Sequence, residues 1–325
     1  MRRRNVLLTA LVILLLPKPV PAQEPDRIWH VGALTPTTTS IDTIRRVTLP
    51  ELAKLGFVEG RNLTFQARSA NGVYENLPAL ALELVAAQPD VIIAVAPAAI
   101  RAARAATQTI PIVMSFAGED PVAAGWAESY ARPGGNVTGI VMLSPELDAK
   151  RIELLHDAFP MRRQIAVFHH PVSRNSPTER AVRFAAEAVG IEVREFYVAG
   201  HEEYKAAFAT IPSFGVDAVA IASSTVFRGD AALLAGLALE AGLPMICEWR
   251  DMVEKGCLMS YNAKLPDLLR RTADFVSRIL HGTPAGELPI ENPTVFELVV
   301  NLNTAKALGI EVSAPLIAQA DEVIE

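Results

Sequence analysis

Three segments of the first half of this chain return in the second half, in the same order and with nearly the same spacing. Each is a turn residue followed by a short apolar run, and each pair lies about 130 residues apart. Three ordered matches favour a duplicated unit over chance agreement of apolar runs, so we predict two lobes of the same βαβ topology. The matched positions are Gly56 with Gly190, Asp90 with Asp217, and Pro111 with Pro244.

The composition agrees with two α/β lobes. A chain of 325 residues is long for a single core. Half of its residues are hydrophobic and only 6% are aromatic, so Ala, Val, Leu and Ile must form the interior. The continuous apolar run Asp90–Ala96 is typical of a parallel strand buried on both faces. We also predict a helix over residues 41–55, capped by Ser40, and another that begins near Pro121.

The middle of the chain predicts where the lobes join. Pro133 and the two Gly residues after it end the preceding segment, and residues 136–143 form a strand signal. We interpret this strand as a first crossing between the lobes, with residues 258–262 and 295–302 as a second and a third. The predicted domains are a signal peptide over 1–22, lobe 1 over 23–136 plus 260–292, and lobe 2 over 137–259 plus 293–325.

The N-terminus predicts export. Three Arg residues at 2–4 precede the apolar run Val6–Leu16, and small residues follow up to Ala22. A retained membrane anchor is the alternative, but the run is too short to span a bilayer. No Cys follows the run, so a lipid anchor is not expected. We predict cleavage near Ala22 and a periplasmic protein.

The predicted mature chain is acidic. Loss of residues 1–22 removes four basic residues and moves the formal net charge from −6 to −10. This charge disfavours nucleic acid as a partner. Two cysteines, Cys247 and Cys257, either pair as a disulfide in an oxidising compartment or remain buried thiols; the sequence leaves both open.

Ligands of open parallel sheets bind beyond the carboxyl ends of the strands. Around these ends lie short hydroxyl donors, the start of a helix at Ala98 that suits a carboxylate, and Glu248, which suits a cationic amine. Aromatic residues supply apolar walls, Trp249 among them. The predicted ligand-binding residues are Thr35, Pro36, Tyr74, Ala96, Pro97, Ala98, Ser115, Phe116, Ser173, Asn175, Ser223, Ser224, Thr225, Glu248 and Tyr261.

Several of these residues have a structural alternative. Ser223, Ser224 and Thr225 follow a strand signal and could equally cap a helix, and Asp120 before Pro121 favours a cap over a ligand contact. The pair His169–His170 suggests metal, but adjacent strand residues point to opposite faces and no third ligand is evident. We therefore expect no metal and no cofactor. Signatures of hydrolases, nucleotide-binding loops and zinc proteases do not occur.

Particular segments resemble a known family. Residues 132–139 (RPGGNVTG), 120–122 (DPV), 258–261 (LMSY), 296–309 (FELVVNLNTAKALG) and 320–325 (ADEVIE) are similar to the ABC transporter substrate-binding proteins that include tryptophan- and tyrosine-binding members. The resemblance covers the mature chain. It implies a type I periplasmic-binding fold: two Rossmann-like lobes, three crossing strands, and a ligand held between them by hinge closure.

The chain departs from that family at three places. The family often has Gly-Thr-Pro where this chain has Val95-Ala96-Pro97, and it tends to have Gly at the positions of Cys257 and Asn262. The first departure falls in the predicted carboxylate loop, so the identity of the ligand is not carried over.

The resemblance implies a periplasmic solute receptor that delivers a small molecule to an ABC permease in the inner membrane, and we expect a monomer. An amino acid or related carboxylate is the first hypothesis for the solute. The alternative is an exported two-lobed enzyme, transferase-like, that acts in the same cleft. A DNA-binding regulator of related fold is disfavoured by the export signal and by the absence of an N-terminal helix-turn-helix.

Overall fold

The computed structural model describes residues 27–325, and the predicted signal peptide lies outside this range. Five parallel strands form a first sheet in the order β2-β1-β3-β4-β5. Strand β3 is buried along its whole length, which confirms the prediction drawn from its apolar run. The strands of this sheet are β1 (Trp29–Thr35), β2 (Leu63–Ser69), β3 (Val91–Val95), β4 (Ile112–Ala117) and β5 (Val137–Val141).

A second sheet has seven strands in the order β12-β11-β10-β9-β8-β6-β7. Its neighbours are parallel except for β10 and β11, which run antiparallel. The fold is thus α/β with two mostly parallel sheets. The strands are β6 (Gln164–His169), β7 (Glu192–Tyr197), β8 (Ala218–Ile221), β9 (Met245–Cys247), β10 (Met259–Ala263), β11 (Phe296–Asn301) and β12 (Glu322–Ile324).

Helices cover both sheets, and most connect one parallel strand to the next. Helix α1, a π-helical turn over Ile44–Thr48 and helix α2 follow one another without a break. The helices are α1 (Thr38–Thr43), α2 (Leu49–Lys54), α3 (Leu77–Ala86), α4 (Ala96–Ala106), α5 (Ser144–Ala158), α6 (Pro177–Ala188), α7 (His201–Thr210), α8 (Thr225–Gly229), α9 (Ala231–Glu240), α10 (Arg250–Val253), α11 (Leu265–Leu280), α12 (Leu302–Leu308) and α13 (Ala314–Gln319).

The chain passes between the sheets three times. The first pass follows β5 and leads into α5, and the second follows β10 and leads into α11, which packs on the first sheet. The third pass precedes β11, after Glu291 has paired with β5. Strand β5 itself belongs to the first sheet, although the predicted boundary at residue 136 groups it with lobe 2. Where the two lobes divide stays a prediction.

Two local predictions were wrong. Ser40 lies inside α1, which begins two residues earlier. Residues 121–125 form turns rather than a helix. The carboxylate of Asp120 accepts the N–H groups of Val122 and Ala123 at 2.8 and 3.3 Å, as an N-cap does, but Gly125 adopts a left-handed φ of 67° and ends the segment after one turn.

Among residues 27–325, no helix combines the length and the apolar character that crossing a bilayer would require.

Gly139 in β5 is a position where the fold depends on a missing side chain. Its φ is +125°, and a Cβ atom there would overlap the backbone nitrogen and carbonyl oxygen of Met114 in β4. We expect Gly139→Ala to lower the free energy of unfolding by about 2–4 kcal/mol, because strand β5 must shift away from β4. Urea unfolding followed by circular dichroism measures the change.

Gly135→Ala is the matched control for this substitution. No atom lies within 4 Å of a Cβ atom built at residue 135, and its φ is not in the left-handed region. The control should therefore change stability by less than about 1 kcal/mol. Equal losses in the two variants would contradict the close approach of β5 and β4.

Candidate functional site

A cavity of about 570 Å³ lies where the carboxyl ends of the two sheets face each other. Loops after β3 and β4 line one side, and loops after β6, β8 and β9 line the other. The first pass between the sheets, over residues 142–144, forms part of the wall. A volume of this size suits a small organic molecule.

Ten of the predicted ligand-binding residues lie together on the wall of this cavity. They come from both sheets, as expected if strand ends gather at one edge. The structure therefore brings them to one place, while their contact with a ligand stays a prediction. The ten are Tyr74, Ala96, Pro97, Ala98, Phe116, Ser173, Ser223, Ser224, Thr225 and Glu248.

Three predicted residues of the first sheet lie behind the wall instead. The buried hydroxyl of Thr35 donates to the carbonyl of Thr37 at 2.9 Å, and the carbonyl of Pro36 accepts from Gly72 N–H at 2.8 Å. Ser115 is fully buried, and its hydroxyl has no hydrogen-bond partner within residues 27–325. These groups support the loops rather than face the cavity.

Two predicted residues of the second sheet also lie off the wall. Asn175 has its N–H bonded to the carboxylate of Glu179 at 2.7 Å, which ties the loop before α6. Tyr261 stacks on Phe296 with ring centroids 5.9 Å apart. Its carbonyl accepts from the guanidinium of Arg151 at 2.8 Å. Because Arg151 also contacts Ser223, the backbone of Tyr261 is linked to the cavity wall through Arg151.

Three helices begin at the cavity without a side-chain cap. The N-cap residues of α4, α5 and α11 are Val95, Leu143 and Lys264, and within the described chain no side chain accepts from their first turns. The free N–H groups and the positive ends of the helix dipoles favour a negatively charged group nearby. The sequence indicated one such helix, at Ala98; the structure adds two.

Two strand ends at the cavity hold strained backbone. Ala96 and Phe116 have φ values of 67° and 63°, in the left-handed region that non-glycine residues seldom adopt. Such strain costs about 1–3 kcal/mol per residue and is concentrated at functional sites. Both residues line the cavity.

A buried ion pair stands behind the second-sheet wall. Asp148 and Arg151 on α5 are 2% and 1% exposed and form a salt bridge. Arg151 also donates to the hydroxyl of Ser223 at 2.8 Å, and Ser223 N–H donates to Asp148 at 3.2 Å. Sequence reasoning missed this pair because acidic and basic residues three apart on a helix usually lie on a solvated face.

Glu248 adds a second buried carboxylate beside this pair. It is 5% exposed and accepts from Ser224 N–H at 3.2 Å and from the amide of Asn262 at 3.4 Å. Burial raises the pKa of Glu248, while the charge of Arg151 opposes that rise. In this buried group one arginine faces two carboxylates, so the group can accept a further positive charge. Arg228, on the same wall, is paired with Asp251.

Aromatic residues from the two sheets contact each other at the cavity wall. Phe116 after β4 lies 5.7 Å from Trp249 after β9, and Tyr74 lies 4.7 Å from His170, measured between ring centroids. The hydroxyl of Tyr74 is 3.5 Å from that of Thr225. Each contact joins an element of one sheet to an element of the other. His170 was not among the predicted ligand-binding residues; the sequence considered the pair His169–His170 for metal and disfavoured it.

Cys247 and Cys257 form a disulfide, which decides between the alternatives that the sequence left open. Both are fully buried. The bond joins the end of β9 to the residue two before β10, so it closes the loop that starts with Glu248 and Trp249.

The model of the ABC transporter substrate binding protein family matches residues 37–324. The chain belongs to this family. A curated relative is the tyrosine-binding protein of Clostridioides difficile (strain R20291), which is 25% identical over 274 residues, covering 84% of this chain and 78% of the relative.

Two solved structures share the fold of this chain. A conserved domain protein from Vibrio cholerae superposes with a TM-score of 0.82 and 26% identity, over 91% of this chain and 100% of that one. An ABC domain from Streptococcus pneumoniae in complex with L-Trp superposes with a TM-score of 0.80 and 22% identity, over the same shares. Membership implies a small-molecule ligand and an ABC permease as partner, and it indicates a binding protein rather than an enzyme.

The raised pKa of Glu248 makes stability depend on pH. Folding favours the protonated carboxyl of Glu248. The destabilisation from burying its charged form therefore begins as pH rises above the ordinary pKa of 4.5 and reaches its full value above the raised pKa of the folded protein. We expect Glu248→Gln to stabilise the ligand-free protein, with a gain that grows from pH 4 toward pH 8. Urea midpoints at a series of pH values measure it. Glu240→Gln removes an exposed carboxylate and serves as the control for the change of charge, and a gain for Glu248→Gln that shrinks with rising pH would contradict the burial argument.

Removal of the disulfide should loosen the loop that carries Glu248. The bonded residues are 10 apart in sequence, and closing a loop of that size stabilises by about 2–3 kcal/mol. We expect the double variant Cys247→Ala, Cys257→Ala to lose roughly this much, measured by urea unfolding of the non-reduced proteins. A variant as stable as the wild-type chain would show that the bond does not form in solution.

Proposed function

We propose that this chain is the periplasmic solute receptor of an ABC importer, and that its solute is an amino acid with an apolar or aromatic side chain. The carrying observation is the distribution of charge around the cavity. The uncapped N-termini of the helices at the cavity, that of α4 in particular, favour a carboxylate. On the second-sheet side, the buried Glu248 favours an ammonium group.

The rest of the wall fits the remainder of such a molecule. Phe116 and Trp249 come from opposite sheets, contact each other, and offer apolar surface to a side chain beside them. Ser223 and Ser224 add short polar groups next to Glu248. The relatives named for tyrosine and solved with L-Trp support an amino acid as the class, although the departure at Val95–Pro97 leaves the preferred side chain open.

In this mechanism the receptor makes and breaks no bond. The solute touches both walls only when the lobes are closed, so its differential affinity shifts the population toward the closed form. A permease can then distinguish loaded from empty receptor by the relative position of the lobes. Delivery requires that the closed form reopen.

Isothermal titration calorimetry of residues 23–325 with L-tryptophan and L-tyrosine tests the proposal. We expect micromolar or tighter binding of at least one, and Glu248→Gln should weaken it by about 2 kcal/mol or more, roughly thirtyfold in Kd, because the ammonium loses its charged partner. Indole-3-propionate, which lacks the amine, should bind the wild-type chain weakly and lose little in the variant.

Glu240→Gln, a change of the same charge on an exposed helix end, serves as the control and should bind as the wild-type chain does. Mass spectrometry of the recovered amino acid addresses the enzyme alternative, since a receptor returns it unaltered. Equal affinity of the wild-type and Glu248→Gln chains would refute the ammonium site. Binding of neither amino acid would refute the proposed solute class.

A further inference from the structure

A hydrogen bond between the lobes joins two residues of the cavity wall that are not among the predicted ligand-binding residues. Arg228, at the end of α8 on the second-sheet side, is 7% exposed, and its guanidinium donates to the hydroxyl of Thr43 at 3.1 Å. Thr43 ends α1 on the first-sheet side and is 4% exposed. This bond therefore links two elements that belong to different sheets.

The hydrogen-bonding capacity of Thr43 fits this contact. Its hydroxyl proton goes to the carbonyl of Thr39, one turn earlier in α1, at 2.6 Å. The oxygen is left with lone pairs, and a guanidinium can only donate. The direction of the bond is thus fixed, from Arg228 to Thr43. A hydrogen bond from a charged donor is stronger than one between neutral groups.

The charge of Arg228 is neutralised within its own lobe. Asp251 accepts from Arg228 at 2.8 and 3.2 Å through its two carboxylate oxygens. If the lobes separate, the guanidinium keeps this partner and gains water in place of Thr43. Opening therefore leaves no unpaired buried charge, which would cost several kcal/mol. Only one hydrogen bond is exchanged for water, so the contact can break and reform.

The position of α8 connects this bond to the solute site. The helix is five residues long, and its N-cap is Ser224, whose N–H is bonded to Glu248. Thr225, its first residue, approaches Tyr74 of the other lobe, and Arg228 lies one turn further on. A solute held at Glu248 would thus hold the start of the helix whose end reaches α1.

We propose that Thr43 and Arg228 form an interlobe latch, and that Thr43 is a positioning residue that sets solute affinity by stabilising the closed form. This inference rests on the proposed receptor function. Because apparent affinity scales with the fraction of closed molecules, a change at the latch alters binding through that fraction. Thr43 and Arg228 also line the cavity, so the closed fraction measured without solute isolates this effect from any contact with the solute.

The chain offers a matched pair of threonines for the test. Thr48, five residues beyond Thr43, is also buried, and its hydroxyl donates to the carbonyl of Leu269 within the same lobe at 3.3 Å. Thr43→Val and Thr48→Val each remove one buried hydroxyl of the same size. Only the first removes a bond between lobes. Thr43→Ser restores the hydroxyl and serves as the rescue.

Single-molecule fluorescence transfer between dyes on Leu82→Cys and Phe184→Cys reports closure. These positions are 61% and 75% exposed and lie on α3 and α6, on opposite lobes. The native cysteines are paired and buried, so they do not react with the dyes. Measurements without solute and with saturating L-tryptophan or L-tyrosine give the ratio of closed to open molecules.

We expect Thr43→Val to lower the closed-to-open ratio about tenfold, as the loss of one hydrogen bond to a charged donor predicts, in the presence and absence of the amino acids. Thr43→Ser and Thr48→Val should match the wild-type ratio. The latch is overturned if Thr43→Val leaves the ratio unchanged, if Thr43→Ser or Thr48→Val lowers it as much, or if the wild-type chain never reaches the closed distance.

The fluorescence measurement without solute separates this inference from the proposed function. If neither amino acid binds but Thr43→Val still lowers the closed fraction, the solute class is wrong and the latch stands. If an amino acid binds and closes the lobes equally in all variants, the receptor function stands and the latch is wrong.

Discussion

Parallel strands place every strand end of a sheet at the same edge, and this constraint organises the molecule. In the first sheet all five strands run in one direction, so the loops after β3 and β4 and the start of α4 must gather at one edge. The second sheet does the same with the loops after β6, β8 and β9. Three backbone passes hold the two edges opposite each other. A shared cavity follows from strand direction alone, before any side chain is considered.

Charge distinguishes the two sides of that cavity. The first-sheet side and the connecting passes present helix starts, whose N–H groups are fixed and cannot move away from a ligand. The second-sheet side holds Asp148, Arg151 and Glu248 in a buried group with one more carboxylate than cation. A neutral solute would use neither side fully. A zwitterion uses both, and it does so only when the sides are close, which couples recognition to closure.

The fold could be predicted because its signals are local. The apolar run at Asp90, the Pro and Gly stops and the repeated order of segments all follow from short-range preferences that the structure obeys. Asp120 shows the limit. Asp120 and Pro121 read as a helix start, and the carboxylate does cap one turn, but Gly125 at a left-handed φ of 67° ends it. A start signal does not fix the length of an element where a stop residue follows within a turn.

The site was harder to predict because its key contacts join distant parts of the chain. Residues at strand ends could be named from topology, and ten of them line the cavity. Nothing in the sequence separates Ser223, which faces the cavity, from Ser115, which lies behind the wall. That difference depends on the twist and packing of each sheet. Arg151 shows the same limit from the other side, since its partners, Ser223 and Tyr261, lie far along the chain.

Reversibility places a final demand on such a receptor. Its closed form must be favoured by the solute, yet not by so much that the solute is never released. The polar and aromatic contacts between the lobes named above fit this demand because each is small: two pairs of aromatic rings, one long hydroxyl contact and one hydrogen bond from Arg228. The strong ion pairs, such as Arg228 with Asp251 and Arg151 with Asp148, lie within one lobe and need not break on opening. Large interactions therefore build each lobe, and small ones set the balance between the open and closed forms.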